Sequence, residues 1–192
     1  DLKNVSRSSV VDNIKAVNTV SVDGENVLLS NTDIDGINQT FEFINFDIND
    51  KFVLILGSGG SAQTAKYTLS ENNTVYVVSR NKKDGDFTYT DVDKLAGDVE
   101  VIINTTPLGM PPYENEKLPI SHLNFSKLEL FYNFGYGVSK KLISDLPKNV
   151  TSIDGTIMLI SQAISSFNIW TGQCIKFNEA YKEIVERIDY EN

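Results

Sequence analysis

The sequence predicts an α/β fold built on a doubly wound parallel sheet, and three observations carry that prediction. Short, continuous apolar runs recur from residue 52 onward: "FVLIL" at 52–56, "VYVV" at 75–78, "VEVIIN" at 99–104, "LELFYN" at 128–133 and "VTSID" at 150–154. Helical stretches, Ala62–Glu71 and Lys140–Leu146, lie between several of them. A glycine-rich junction follows the first run directly. Runs that do not alternate suit parallel strands covered on both faces, and strand–helix alternation implies right-handed βαβ crossovers.

The flanking segments read differently. Residues 16–22, "AVNTVSV", are β-like, and Asp23-Gly24 is a hairpin turn before a second short strand, Val27 to Ser30. Asn31-Thr32-Asp33 offers N-cap chemistry for a helix running to about Phe43. The polar stretch 45–50 marks a boundary. Beyond it, Ile157–Phe167 is helical, and Phe177, Tyr181, Ile184, Val185 and Ile188 share one face of a last helix. The expected organisation is therefore 1–45, then a sheet domain over 46–154, then helices over 155–192.

Composition narrows the function. With 41% hydrophobic and 22% charged residues in 192, the chain can bury a core. A net charge of -9 argues against nucleic acid, so an anionic ligand needs local cations or backbone amides. One cysteine, Cys174, excludes a disulfide framework, suggests a reducing compartment and is expected to be packed. The single histidine, His122, is expected on a surface loop and not at a metal. No apolar run approaches the ~20 residues of a membrane helix. A cytoplasmic location is expected.

The junction itself reads Gly57-x-Gly59-x-x-Ala62, after a predicted strand and opening a predicted helix. The first glycine permits a tight turn, the second lets a pyrophosphate approach the backbone, and Ala62 allows close helix–strand packing. The helix N-terminus adds free amides and partial positive charge. This is a Rossmann-like arrangement. An NAD site carries an acid at the end of the second strand; here Ser79-Arg80-Asn81-Lys82-Lys83 stands there instead. A hydroxyl and three cations suit a ribose 2′-phosphate, so the expected cofactor is NADP.

Taken together, "AVNT" (16–19), "NTD" (31–33), "LILGSGGSA" (54–62), "SRN" (79–81), "IINTTPLGM" (102–110), "FYN" (131–133), "DGTIMLISQA" (154–163) and "WTG" (170–172) resemble the shikimate dehydrogenase family in order and spacing. The resemblance covers nearly the whole chain. It implies an NADP domain and the remnant of a smaller α/β substrate domain flanking a cleft, with hydride passing between nicotinamide and the carbon bearing the 3-hydroxyl of shikimate. By the same resemblance Asn18, Asp33, Tyr132 and Gln162 meet the substrate, with Asp33 also holding the acid–base group. The backbone of Gly57, Ser58, Gly59, Gly60 and Ser61 would cradle the pyrophosphate. Ser79, Arg80, Lys82 and Lys83 would meet the 2′-phosphate, and Leu130 and Gly155 the nicotinamide, with Met158 close by. On residue type alone, Asn31 to Asp33 reads equally as a simple helix cap.

Departures from the family pattern are Lys15 where a glycine is usual, Ile34 after "NTD", and Phe134 where a proline usually follows "YN". The family's proton-transferring lysine lies upstream of "AVNT"; Lys3 and Lys15 do not match its spacing. The expectation is a truncated shikimate dehydrogenase that binds NADP and turns over weakly or not at all, since a positioned proton donor is commonly worth ~10²–10⁴ in rate. The alternatives are a quinate/shikimate enzyme and a non-catalytic NADP sensor. A small-molecule substrate is the expected partner, with homodimerisation left open.

Overall fold

The computed structural model describes residues 4–136, 142 and 146–190. In chain order the elements are β1 (Asn4–Arg7), α1 (Ser9–Ile14), β2 (Thr19–Asp23), β3 (Asn26–Ser30), α2 (Asp33–Phe43), β4 (Phe52–Leu56), α3 (Gly60–Leu69), β5 (Thr74–Ser79), β6 (Phe87–Thr88), β7 (Val101–Asn104), β8 (Leu130–Asn133), β9 (Thr151–Ile153), α4 (Thr156–Thr171) and α5 (Phe177–Tyr190). They form two compact units, Asp1–Asn45 with Ile157–Asn192, and Phe46–Thr156. The helix expected over 140–146 lies largely outside the described residues.

The second unit is a six-stranded sheet in the order β6-β5-β4-β7-β8-β9, parallel throughout. Renumbered from β4, this is the 3-2-1-4-5-6 order of a doubly wound dinucleotide-binding fold. The order reverses between β4 and β7, and a crevice opens there at the carboxyl ends of the strands. Four successive residues of β4, Val53 to Leu56, have no exposed surface, as do all four of β7. That double-sided burial explains why these strands read as unbroken apolar runs rather than alternating ones. Leu54, Leu56, Ile102 and Phe131 belong to the core cluster under the sheet, each burial worth roughly 1.5–3 kcal/mol.

The first unit holds a three-stranded sheet, β1-β3-β2, parallel between β1 and β3 and antiparallel in the β2–β3 hairpin. β1 and α1 carry no clear sequence signal; α1 is only six residues, capped by the Ser8 hydroxyl and ended by Lys15 in the left-handed conformation at φ 55°. Phe43, Phe177 and Tyr181 stack where α2 meets α5, with centroids 4.9–5.9 Å apart. Trp170 of α4 donates its indole N–H to the Val20 carbonyl of β2. Cys174 corrects the expectation of a packed thiol: it is exposed in the α4–α5 connection, where every residue of 171–176 but Ile175 is exposed. Among the described residues no helix is long and apolar enough to cross a membrane.

Candidate functional site

In the sheet unit the junction after β4 forms as the glycine pattern predicts. Gly57 has φ +107°, and a Cβ there would stand 2.6 Å from the Thr105 hydroxyl. The turn itself therefore requires this glycine. Gly59 is different. It caps α3 with φ -76° and no side-chain hydrogen bond, and a Cβ on it would meet nothing within 4 Å. Nothing in the protein demands glycine at 59, while an anion approaching the first-turn amides does. Ser58 is half-buried, and Gly59, Gly60 and Ser61 are exposed around that helix end. Their environment fits a bound diphosphate.

The crevice, of about 520 Å³, includes Gly57, Ser58, Gly59, Ser79, Arg80 and Thr105 in its lining. Arg80 is exposed and forms no ion pair among the described residues. The Ser79 hydroxyl is turned into its own loop, donating to the Asn81 carbonyl and accepting from the Asn81 amide. Lys82 and Lys83 are exposed in a single 3₁₀ turn and do not line the crevice. The loop folds back along β5 through bonds such as Asp86 amide to Val77 carbonyl, 2.8 Å. Of the expected 2′-phosphate ligands, Ser79 and Arg80 line the crevice.

At the ends of β7 and β8, Asn104 donates to Asn133 Oδ1 over 2.9 Å, and Asn104 Oδ1 accepts from the Thr106 amide and hydroxyl. Both asparagines are buried, and Asn133 Nδ2 has no partner among the described residues. Gly155 is fixed by a close approach: a Cβ would lie 2.1 Å from the Phe134 carbonyl oxygen. Two further expected residues lie on β8 itself. Leu130 is fully buried at the amino end of the strand. Tyr132 is fully buried too, its ring 4.9 Å from that of Phe134. Tyr136, just past the strand end, is 54% exposed.

In the first unit three separate segments bring Asn18, Asp33 and Gln162 together. Asn18 Nδ2 donates to Asp33 Oδ1 at 2.8 Å and lies 3.4 Å from Gln162 Oε1. Its Oδ1 accepts from the Thr32 amide at 2.9 Å and the Thr19 hydroxyl at 2.8 Å. Beneath this pair the hydroxyls of Thr19, Thr32 and Ser166 form a buried cluster, 2.7–3.3 Å apart. Thr32 stands at the cap position of α2 without a side-chain capping bond, while Asn31 Oδ1 accepts from the Asp33 amide at 3.0 Å, so capping and the Asn18–Asp33 contact occur together. Burial raises the Asp33 pKa, partly offset by the Asn18 bond. Its second oxygen has no partner among the described residues. Met158 is buried on α4 against Gly36 of α2. Ser166 escaped sequence reasoning because a serine in mid-helix normally faces water; Thr19 and Thr32 lay inside the quoted motifs.

Strand order, glycine bend and open helix end define the class: a doubly wound, dinucleotide-binding α/β protein. No family model matches the chain. A protein of Methanococcus aeolicus named shikimate dehydrogenase (NADP(+)) is 33% identical over 178 residues, covering 83% of this chain and 63% of its own length. One of Clostridium botulinum with the same name is 34% identical over 86% of this chain and 68% of its own. Among solved structures, shikimate dehydrogenase 1 of Peptoclostridium difficile matches with a TM-score of 0.81 at 26% identity, over 94% of this chain and 71% of that one. A chorismate mutase/shikimate 5-dehydrogenase fusion protein of Clostridium acetobutylicum gives 0.79 at 29%, over 96% and 71%. The chain belongs to the shikimate dehydrogenase family. It spans somewhat under two thirds of the length of the Methanococcus relative.

Proposed function

We propose that this protein is an NADP-dependent oxidoreductase acting on the shikimate/3-dehydroshikimate pair. The observation that carries the reading is the convergence of Asn18, Asp33 and Gln162 from three chain segments into one polar cluster. Such short amide and carboxylate groups match the paired hydroxyls of a small polyol. The relatives' shared name, which specifies both substrate and NADP(+), supports it.

When bound, NADP supplies the hydride exchange with the substrate carbon that bears the hydroxyl. The protein's own contribution is binding and orientation. Asp33 accepts a substrate hydroxyl on its second oxygen while Asn18 holds the first, which fixes the carboxylate plane. The three hydroxyls beneath keep Asn18 in one rotamer. On the cofactor side, the amides at 57–61 take the diphosphate and Arg80 the 2′-phosphate.

Lys3 and Lys15 do not match the spacing of the family's proton-transferring lysine, so neither is proposed as the proton donor. No cation contributes to the pKa shift of Asp33 either. The same observation favours the second reading, a non-catalytic NADP sensor. Monitoring NADP⁺ reduction with shikimate, alongside shikimate-induced melting shifts, tests both. Shikimate-dependent stabilisation with slow reduction supports the enzyme reading; no response to millimolar shikimate overturns it and leaves the sensor.

A further inference from the structure

Two unclaimed hydrogen-bond donors stand side by side on the outer edge of the sheet unit. The parallel pairing of β5 with β6 matches Ser79 to Thr88. The next residue on each strand is therefore Arg80 on one and Tyr89 on the other, both emerging at carboxyl ends. Both line the crevice that begins at Gly57 and Gly59. The Tyr89 ring packs against the core cluster, so its direction is set by apolar contacts. Its hydroxyl has no hydrogen bond among the described residues, and neither does the Arg80 guanidinium. The two are close enough that the charge of Arg80 acts on the phenol, opposing the upward pKa shift that burial causes. The phenol thus stays protonated at neutral pH and can only serve an anion as a donor.

We infer that Tyr89 is a second determinant of cofactor specificity, donating its O–H to the same ribose 2′-phosphate that Arg80 pairs with. This rests on the NADP reading of the crevice. A point charge alone attracts any anion. A guanidinium and a fixed neutral O–H together impose two directions, as a tetrahedral phosphate on a ribose satisfies and a bare hydroxyl does not. Lys82 and Lys83 do not line that crevice, whereas Arg80 and Tyr89 do. A tyrosine eleven residues beyond "VYVV" gives no signal in a sequence read for cations, because only the β5–β6 register brings it to Arg80.

The test is calorimetric titration of the 192-residue protein and its Tyr89→Phe variant with NADP⁺ and NAD⁺, and with 2′-AMP and 5′-AMP as fragments. Phenylalanine keeps the packed ring, and equal melting temperatures verify that the fold is intact. The expected result is an about tenfold weaker binding of NADP⁺ and 2′-AMP, as for a lost bond to a charged group, with NAD⁺ and 5′-AMP unchanged. Equal losses for both cofactors would reduce Tyr89 to an adenosine-packing residue, and no loss for either would remove it from the site; each overturns the inference. Should the unaltered protein bind NAD⁺ as tightly as NADP⁺, the cofactor reading itself fails and this role with it, an outcome told apart by the wild-type titration alone.

Discussion

The Asn18 side-chain amide donates to the Asp33 carboxylate over 2.8 Å, joining the strand-entry segment before β2 to the first residue of α2. This bond links local backbone placement to ligand chemistry, because Asn18 is itself held by Thr19 and the Thr32 amide. Asp33 sits half-buried and short of positive charge, which is costly for folding and useful for gripping a hydroxyl.

Replacing Asp33 with asparagine should therefore separate stability from binding. Because burial raises the folded-state pKa, stability from this group is complete below its unfolded pKa and falls as pH rises through the folded one. At neutral pH the Asp33→Asn variant should melt no lower than the parent, and its relative advantage should vanish in acid. Shikimate affinity should drop by about tenfold or more. Melting curves across pH, with and without shikimate, measure both.

The two glycines of the bend should behave oppositely. Gly57→Ala forces a side chain into a left-handed backbone and onto the Thr105 hydroxyl, and should cost about 1–3 kcal/mol or more in urea unfolding. Gly59→Ala meets open space and should be nearly neutral in stability. Its methyl would occupy the diphosphate's approach, so NADP⁺ binding should weaken by about tenfold or more. Parallel urea and titration experiments check the contrast.

Lys15 ends α1 with φ 55°, a conformation that suits glycine. Lys15→Gly should stabilise the protein by about 1 kcal/mol by removing the left-handed penalty. A lower urea midpoint for the glycine variant would contradict the cap geometry.

Ser166 joins Thr19 and Thr32 through bonds of 2.7 and 2.9 Å. Ser166→Ala should cost about 1–3 kcal/mol, since it strips buried hydroxyls of a partner. It should also loosen Asn18 and weaken shikimate binding without touching NADP⁺. Equal effects on both ligands would argue for general destabilisation instead.

Much of this was legible in the residues. Continuous apolar runs marked five strands of the parallel sheet, most plainly β4, β7 and β8, whose two faces are covered, and the glycine spacing located the bend because steric rules act locally. The two-residue β6 was not legible, since Phe87-Thr88 is too short to carry a period and owes its pairing to β5. β1 and α1 failed for the same reason. Site residues divide along that line. Asn18, Asp33 and Gln162 were found through motif resemblance, whereas Ser166 and Tyr89 depend on tertiary register. Tyr132 is read from "FYN"; its strand is buried on both sides, which the sequence "LFYN" states in apolar character but not in side-chain direction. Lys82 and Lys83 read as phosphate ligands from charge and position alone; they stand exposed in a 3₁₀ turn outside the crevice lining.

The most direct measurement is the binding of NADP⁺ to this polypeptide and to its Arg80→Gln variant, each followed by titration calorimetry with NAD⁺ alongside. The account predicts saturable NADP⁺ binding to the parent, about tenfold or more tighter than NAD⁺, with that preference lost in the variant. An unaltered protein that leaves NADP⁺ unbound at millimolar concentration, or prefers NAD⁺, would contradict it.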